Sequence, residues 1–118
     1  MRPDMRRWPQ VIGRQRLAEG GVRLMLQLDP DLVWFAGHFP ATPILPGVAQ
    51  LHIALHLASQ ELGIGGEFSG MQMIKFQQPL RPGQQPELEL VWSAQRHSLI
   101  FTYRLAGDVA SSGRVGLC

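Results

Sequence analysis

A chain of 118 residues is long enough for one hydrophobic core and too short for two, and 45% hydrophobic with 17% charged residues is the balance of a globular fold, not of a disordered segment. No run approaches the roughly 18 apolar residues of a membrane span, and a single cysteine, Cys118, excludes an intrachain disulfide. The net charge is only +2, but residues 1–16 hold Arg2, Arg6, Arg7, Arg14 and Arg16 against the one acid Asp4. That cluster reads either as a solvated, frayed terminus or as a docking patch for an acidic partner. Nucleic acid is not expected, because no binding motif or aromatic–basic interleaving accompanies it. Without an apolar stretch behind the first arginines, no secretory signal is read, and a cytoplasmic protein is expected.

The first predicted elements are two strands. Residues 10–19 and 22–28 flank Gly20-Gly21, a dipeptide suited to a tight hairpin, and Val22, Leu24, Leu26 and Leu28 alternate with more polar neighbours at the period of a strand with one buried face. Asp29-Pro30-Asp31 breaks the pattern. Next comes Gly37-His38-Phe39-Pro40-Ala41-Thr42-Pro43-Ile44-Leu45-Pro46-Gly47-Val48, with three prolines in seven positions. Each proline fixes its own φ and pushes the residue before it toward extended geometry, so this is a stiff loop presenting His38.

The apolar run 48–62 is too long for a strand, and its few polar groups are Gln50, His52, His56, Ser59, Gln60 and Glu61. A helix apolar nearly all round belongs inside something, here a sheet curled around it, and it ends at Gly63. Strand character resumes at 69–78, followed by the Pro79–Gly83 turn, and then at 87–95, 98–105 and 109–117, with Arg96-His97 and Gly107-Asp108 as connections. The expected order is a hairpin, a buried helix and a long antiparallel meander, all in a single domain over residues 1–118.

These residues resemble the hotdog-fold 3-hydroxyacyl-acyl-carrier-protein dehydratases of fatty-acid synthesis. The stretch Gly37–Val48 is similar to that family's Gly-His-Phe-Pro-Gly-x-Pro-x-x-Pro-Gly-Val motif, with Ala41 in place of a glycine. Lys75-Phe76-Gln77-Gln78-Pro79-Leu80-Arg81-Pro82-Gly83-Gln84 resembles its Lys-Phe-x-x-Pro-x-x-Pro-Gly-Asp element. The resemblance implies an α+β hotdog fold, a long central helix wrapped by a curved antiparallel sheet, dimerising edge to edge, as a homodimer or a dimer of dimers. It implies substrate carried on acyl carrier protein, a tunnel along the dimer interface, no cofactor and no metal. His38 becomes the catalytic histidine and Gly47 the residue whose N–H meets the thioester carbonyl, while Phe39, Pro46 and His56 become tunnel or interface candidates. The helix opening Pro46–Leu51 most resembles the aryl-polyene branch of the family.

One departure stands out. The family's Glu or Asp, fourteen residues after the loop histidine, is here His52. Removing water from a 3-hydroxyacyl thioester takes a base for the C2 proton, an acid for the C3 hydroxyl and stabilisation of the thioester oxygen. Neutral His38, protonated His52 and the Gly47 amide fill those roles, since two neighbouring imidazoles resist both being charged. His52 and His56 also have the i, i+4 spacing of a metal pair, but without an adjacent helix glutamate. Two alternatives remain: a hotdog thioesterase, which calls for a carboxylate on or near the helix where none precedes Glu61, and a non-catalytic subunit that binds the acyl carrier or pairs with an active homologue.

Overall fold

The computed structural model describes residues 6–18, 20–35, 43–66 and 68–117. Six strands form one antiparallel sheet: β1 (Gln10–Leu17), β2 (Gly21–Gln27), β3 (Phe68–Phe76), β4 (Glu87–Ser93), β5 (Ser98–Leu105) and β6 (Asp108–Leu117). One helix, α1 (Gly47–Leu62), lies between β2 and β3 in the chain, preceded by a 3-10 turn at Val33–Phe35. The helix and the later strands stand where the sequence pattern places them, whereas the hairpin turns earlier than Gly20-Gly21: β1 ends at Leu17, which pairs with Gly21 inside β2.

The expected meander is only half right. The spatial order is β1-β2-β4-β5-β6-β3, so β4, β5 and β6 run consecutively while β3 pairs with β6 at the far edge. The chain must therefore cross from that edge to the sheet centre between Phe76 and Glu87. Leu80, fully buried, anchors the crossing. Its far end is sewn onto β2 by the amides of Leu26 and Leu28, which donate to Pro86 O and Gln84 O at 2.9 Å each. Alternation within a strand says which face is buried and nothing about which strand lies beside it, and that is why sequence order misled.

One face of the sheet is the core. Val22, Leu24 and Leu26 of β2, Leu88 and Leu90 of β4, and Leu99, Phe101 and Tyr103 of β5 are at most 1% exposed. Against them α1 presents Ala49, Gln50, Ile53, Ala54, Leu57 and Ala58, pairs recurring every fourth residue along one stripe. Three of these six are alanines, whose short side chains let the helix backbone come close to the sheet. The opposite sheet face is charged: Arg23 and Arg104 interleave with Glu87 and Glu89 at 3.0–3.6 Å.

The helix is not enclosed on all sides in the single chain. Val48, His52, Ser59 and Gln60 face outward, and Val48 is 60% exposed. The sheet thus covers one side of α1, and the apolar composition of the run overstated its burial. The helix stops at Gly63, whose left-handed backbone (φ 66°) turns its N–H back to Ser59 O.

Candidate functional site

The residues before α1 are pinned at Leu45. Its N–H donates to Leu80 O at 2.7 Å, and its carbonyl accepts from Gln50 Nε2 at 3.0 Å. Gln50, 3% exposed, is a hub: its Oε1 accepts from Ser111 Oγ (2.6 Å) and its backbone carbonyl from the Tyr103 hydroxyl (2.7 Å). Burial pushes the Tyr103 phenol far up, so it stays a neutral donor at any working pH. Helix, loop and strands β5 and β6 are thereby locked together around one residue, β5 through the Gln50 backbone carbonyl and the loop and β6 through its side chain.

This lock fixes the start of α1. Pro46 is the N-cap, in extended geometry, and supplies no side-chain cap. The first amides of a helix have no intrahelical acceptor and carry partial positive charge. A cavity of about 520 Å³ opens at this point, lined by Leu45, Pro46, Gly47, Gln50, Phe76 and Pro79 among others, mostly apolar. A Cβ at Gly47 would lie 2.6 Å from Cζ of Phe76, so only glycine lets that ring close over the helix start. Phe76 is itself 57% exposed, and with Val48 it makes an outward apolar edge beside the cavity.

Of the residues expected to act, Gly47 and Pro46 line this cavity. His38 and Phe39 lie outside the described residues. His52 is exposed on the outward stripe of α1, one turn after Val48, and does not line the cavity. It meets the Trp34 ring edge-on, centroids 5.9 Å apart. His56, half-buried, lies flat on Trp8 with ring centroids 3.9 Å apart and planes 2° from parallel. Burial, then the nearby Arg7 cation, lowers its pKa and favours the neutral ring. Among the described residues, no group of three or more His, Cys, Asp or Glu side chains is gathered as a metal site would need, and no helix is long and apolar enough to cross a membrane.

The N-terminal arginines form neither a frayed tail nor a free patch where they are described. Arg6 lies between Asp29 and Asp31 (3.8 and 3.5 Å), and Arg7 covers both indoles. Arg14 grips Glu61 with two bonds (2.6 and 2.8 Å), and Arg16 adds contacts to the same carboxylate and to Glu61 O. The Arg14 hydrogen bonds hold the Glu61 carboxyl below its ordinary range, against the opposing effect of burial.

A group whose folded-state pKa is depressed contributes stability above its unfolded value and loses it as pH falls through the folded one. Glu61→Gln is therefore expected to lower the melting midpoint at neutral pH by a few degrees, of the order an exposed bidentate pair provides. The difference from wild type should shrink toward zero below about pH 4, measured by thermal denaturation across pH.

Sequence reasoning passed over Gln50, Phe76 and the two tryptophans. A lone glutamine inside an apolar stripe was the available signal for the first, since a buried amide must find partners. Nothing in the spacing of Trp8 and Trp34 announces that both reach the helix.

Residues 14–114 match the family model described as ApeI-like, the ApeI dehydratase. Two solved structures are similar along nearly their whole lengths. One is the dehydratase heterocomplex ApeI:P from Xenorhabdus doucetiae, 44% identical, TM-score 0.86, covering 93% of this chain and 97% of that one. The other is an uncharacterized protein from Erwinia carotovora subsp. atroseptica, 44% identical, TM-score 0.82, covering 93% and 95%. Among curated proteins, the 3-hydroxyacyl-acyl-carrier-protein dehydratase FabZ of Chlamydia trachomatis is 44% identical over 59 residues, 42% of this chain and 39% of that protein. The chain thus matches about two fifths of that relative's length.

Proposed function

Because the chain belongs to the ApeI-like dehydratase family, we propose that it removes water from 3-hydroxyacyl groups carried on acyl carrier protein, giving trans-2-enoyl thioesters. The observation that carries this reading is the helix start: Pro46 supplies no side-chain cap, and Gly47 lines an apolar cavity nine residues after His38 in the sequence. Helix-start amides suit an oxygen that gains negative charge, and the apolar walls suit an acyl chain.

In this reading His38 takes the C2 proton. The electron pair left behind moves toward the thioester carbonyl, whose oxygen is held by the Gly47 N–H, and returns to form the C2=C3 bond. The C3–O bond then breaks, and the hydroxyl leaves as water with a proton donated by His52. His38 and the C3 acid are contributed by different protomers. That fits a helix whose His52 face is exposed in the single chain, and it makes an oligomer of at least two hotdog subunits the working unit. The second subunit is a copy of this chain or a related partner, the latter suggested by the Xenorhabdus heterocomplex. The ApeI-like match supports an aryl-polyene-type pathway as the setting of this reaction, with the cytoplasm as its place in this reading.

The thioesterase reading is weaker. The helix carboxylate it needs is Glu61, fourteen residues beyond Gly47, about 21 Å along the axis, and that group is already held by Arg14 and Arg16. Incubation with a 3-hydroxyacyl carrier thioester, followed by mass spectrometry, separates the readings. Loss of water that disappears in His38→Ala is the expected result. Release of free acid would establish the thioesterase instead. No turnover, alone or with the related partner subunit, would establish a binding role only.

A further inference from the structure

The sequence offers two imidazoles, His52 and His56, a turn apart on one side of α1, for a single role. Their surroundings differ in kind. His56 has a whole face covered by Trp8 at 3.9 Å. His52 is exposed and meets Trp34 at the side, with an interplanar angle of 61°. The two indoles form one unit, with centroids 6.4 Å apart. The Trp34 Nε1–H donates to Arg7 O at 2.8 Å, and the Arg7 guanidinium carbon lies 5.4 Å and 5.9 Å from the two ring centres.

This unit is anchored at both ends. The Arg6 N–H donates to Asp31 O (3.0 Å) and the Val33 N–H to Arg6 O (2.6 Å), tying the segment ahead of β1 to the 3-10 turn that carries Trp34. An exposed histidine on a helix ordinarily samples several staggered rotamers. A ring fixed from behind removes those that would swing into it.

We propose that Trp34 is a positioning residue for His52, and that Trp8 holds His56 out of the reaction, so that the indole pair selects which helix histidine serves the site. The inference rests on the dehydratase reading. It adds that the N-terminal segment Arg6–Trp8, which carries none of the reacting groups, belongs to the machinery by way of Trp34.

The test compares wild type with Trp34→Ala, Trp34→Leu and Trp34→Phe, the leucine variant keeping bulk without the ring should alanine fail to fold. Two quantities are read: kcat and KM on a 3-hydroxyacyl carrier substrate, and the His52 χ1 couplings by NMR. Both non-aromatic variants should lose about tenfold in kcat with KM changed less than twofold, since misplacing a reacting group lowers rate more than binding. His52 χ1 should pass from one rotamer to averaging, and phenylalanine should recover most of both. Unchanged kcat in the folded leucine variant, a KM-only effect, or a His52 that keeps one rotamer without the indole would each overturn the proposal. If wild type does not dehydrate the substrate, the dehydratase reading fails separately, and the χ1 couplings still decide whether Trp34 holds His52.

Discussion

Gln50→Leu is expected to cost about 3 kcal/mol of folding stability, although leucine is the more hydrophobic residue and the position is 3% exposed on the buried stripe of α1. The substitution leaves the Leu45 carbonyl and the Ser111 hydroxyl buried without the partners they have at 3.0 and 2.6 Å. Each orphaned group costs roughly 1–3 kcal/mol, whereas burying a better hydrophobe in the same volume returns less than that. The sign is checked by a second substitution. Ser111→Ala in the Gln50→Leu background removes one orphan and should return about 1 kcal/mol, so the pair is strongly non-additive. Chemical denaturation of the four proteins measures it, and additive losses would show that the hydroxyl and amide are not coupled.

The same change should be felt at the helix start. With the Gln50 amide gone, Leu45 keeps only its bond to Leu80 O, and the loop ahead of Gly47 is held from one side. Faster hydrogen exchange at the Leu45 amide, beyond what the global loss of stability accounts for, is the expected signature. A stability loss without local loosening would make Gln50 a core residue and nothing more.

What could be read from residues alone follows a physical division. Local period was legible: the existence of the first hairpin, the run ending at Gly63 and the alternating Leu88/Leu90 and Leu99/Phe101/Tyr103 all fold as their spacing says, though the hairpin turns before Gly21 and not at Gly20-Gly21. Long-range placement was not. β3 leaves its expected neighbour β4 because pairing depends on how the Pro79–Pro86 crossing is fastened to β2, and no local pattern encodes that. At the site, the motif located Gly47 and His52 by register. It was silent on the tryptophans, because Trp8 and Trp34 lie 26 residues apart and come together through long-range contacts that local spacing does not encode, the Arg6–Leu32 bridge and the Trp34 Nε1–Arg7 O bond among them. The arginine cluster misled for a related reason: net charge counts cations but not the Glu61, Asp29 and Asp31 that meet them.

His52→Ala is expected to lower kcat by about 100-fold or more while leaving stability within about 0.5 kcal/mol of wild type. The first figure is what one general acid contributes, and the second follows from a side chain that is exposed and away from the core. The contrast separates chemistry from folding of the single chain, and size-exclusion chromatography separates both from loss of the oligomer that the His52 face is proposed to join. His52→Glu is the sharper experiment, because it places a carboxylate at the position where the resembling dehydratases have one. If the role is proton donation, glutamate should recover at least tenfold over alanine, and glutamine, which can hydrogen-bond but not donate a full proton, should recover less. A glutamate variant no faster than alanine, or an alanine variant that turns over within threefold of wild type, would assign the C3 proton to another group and leave His52 an interface residue.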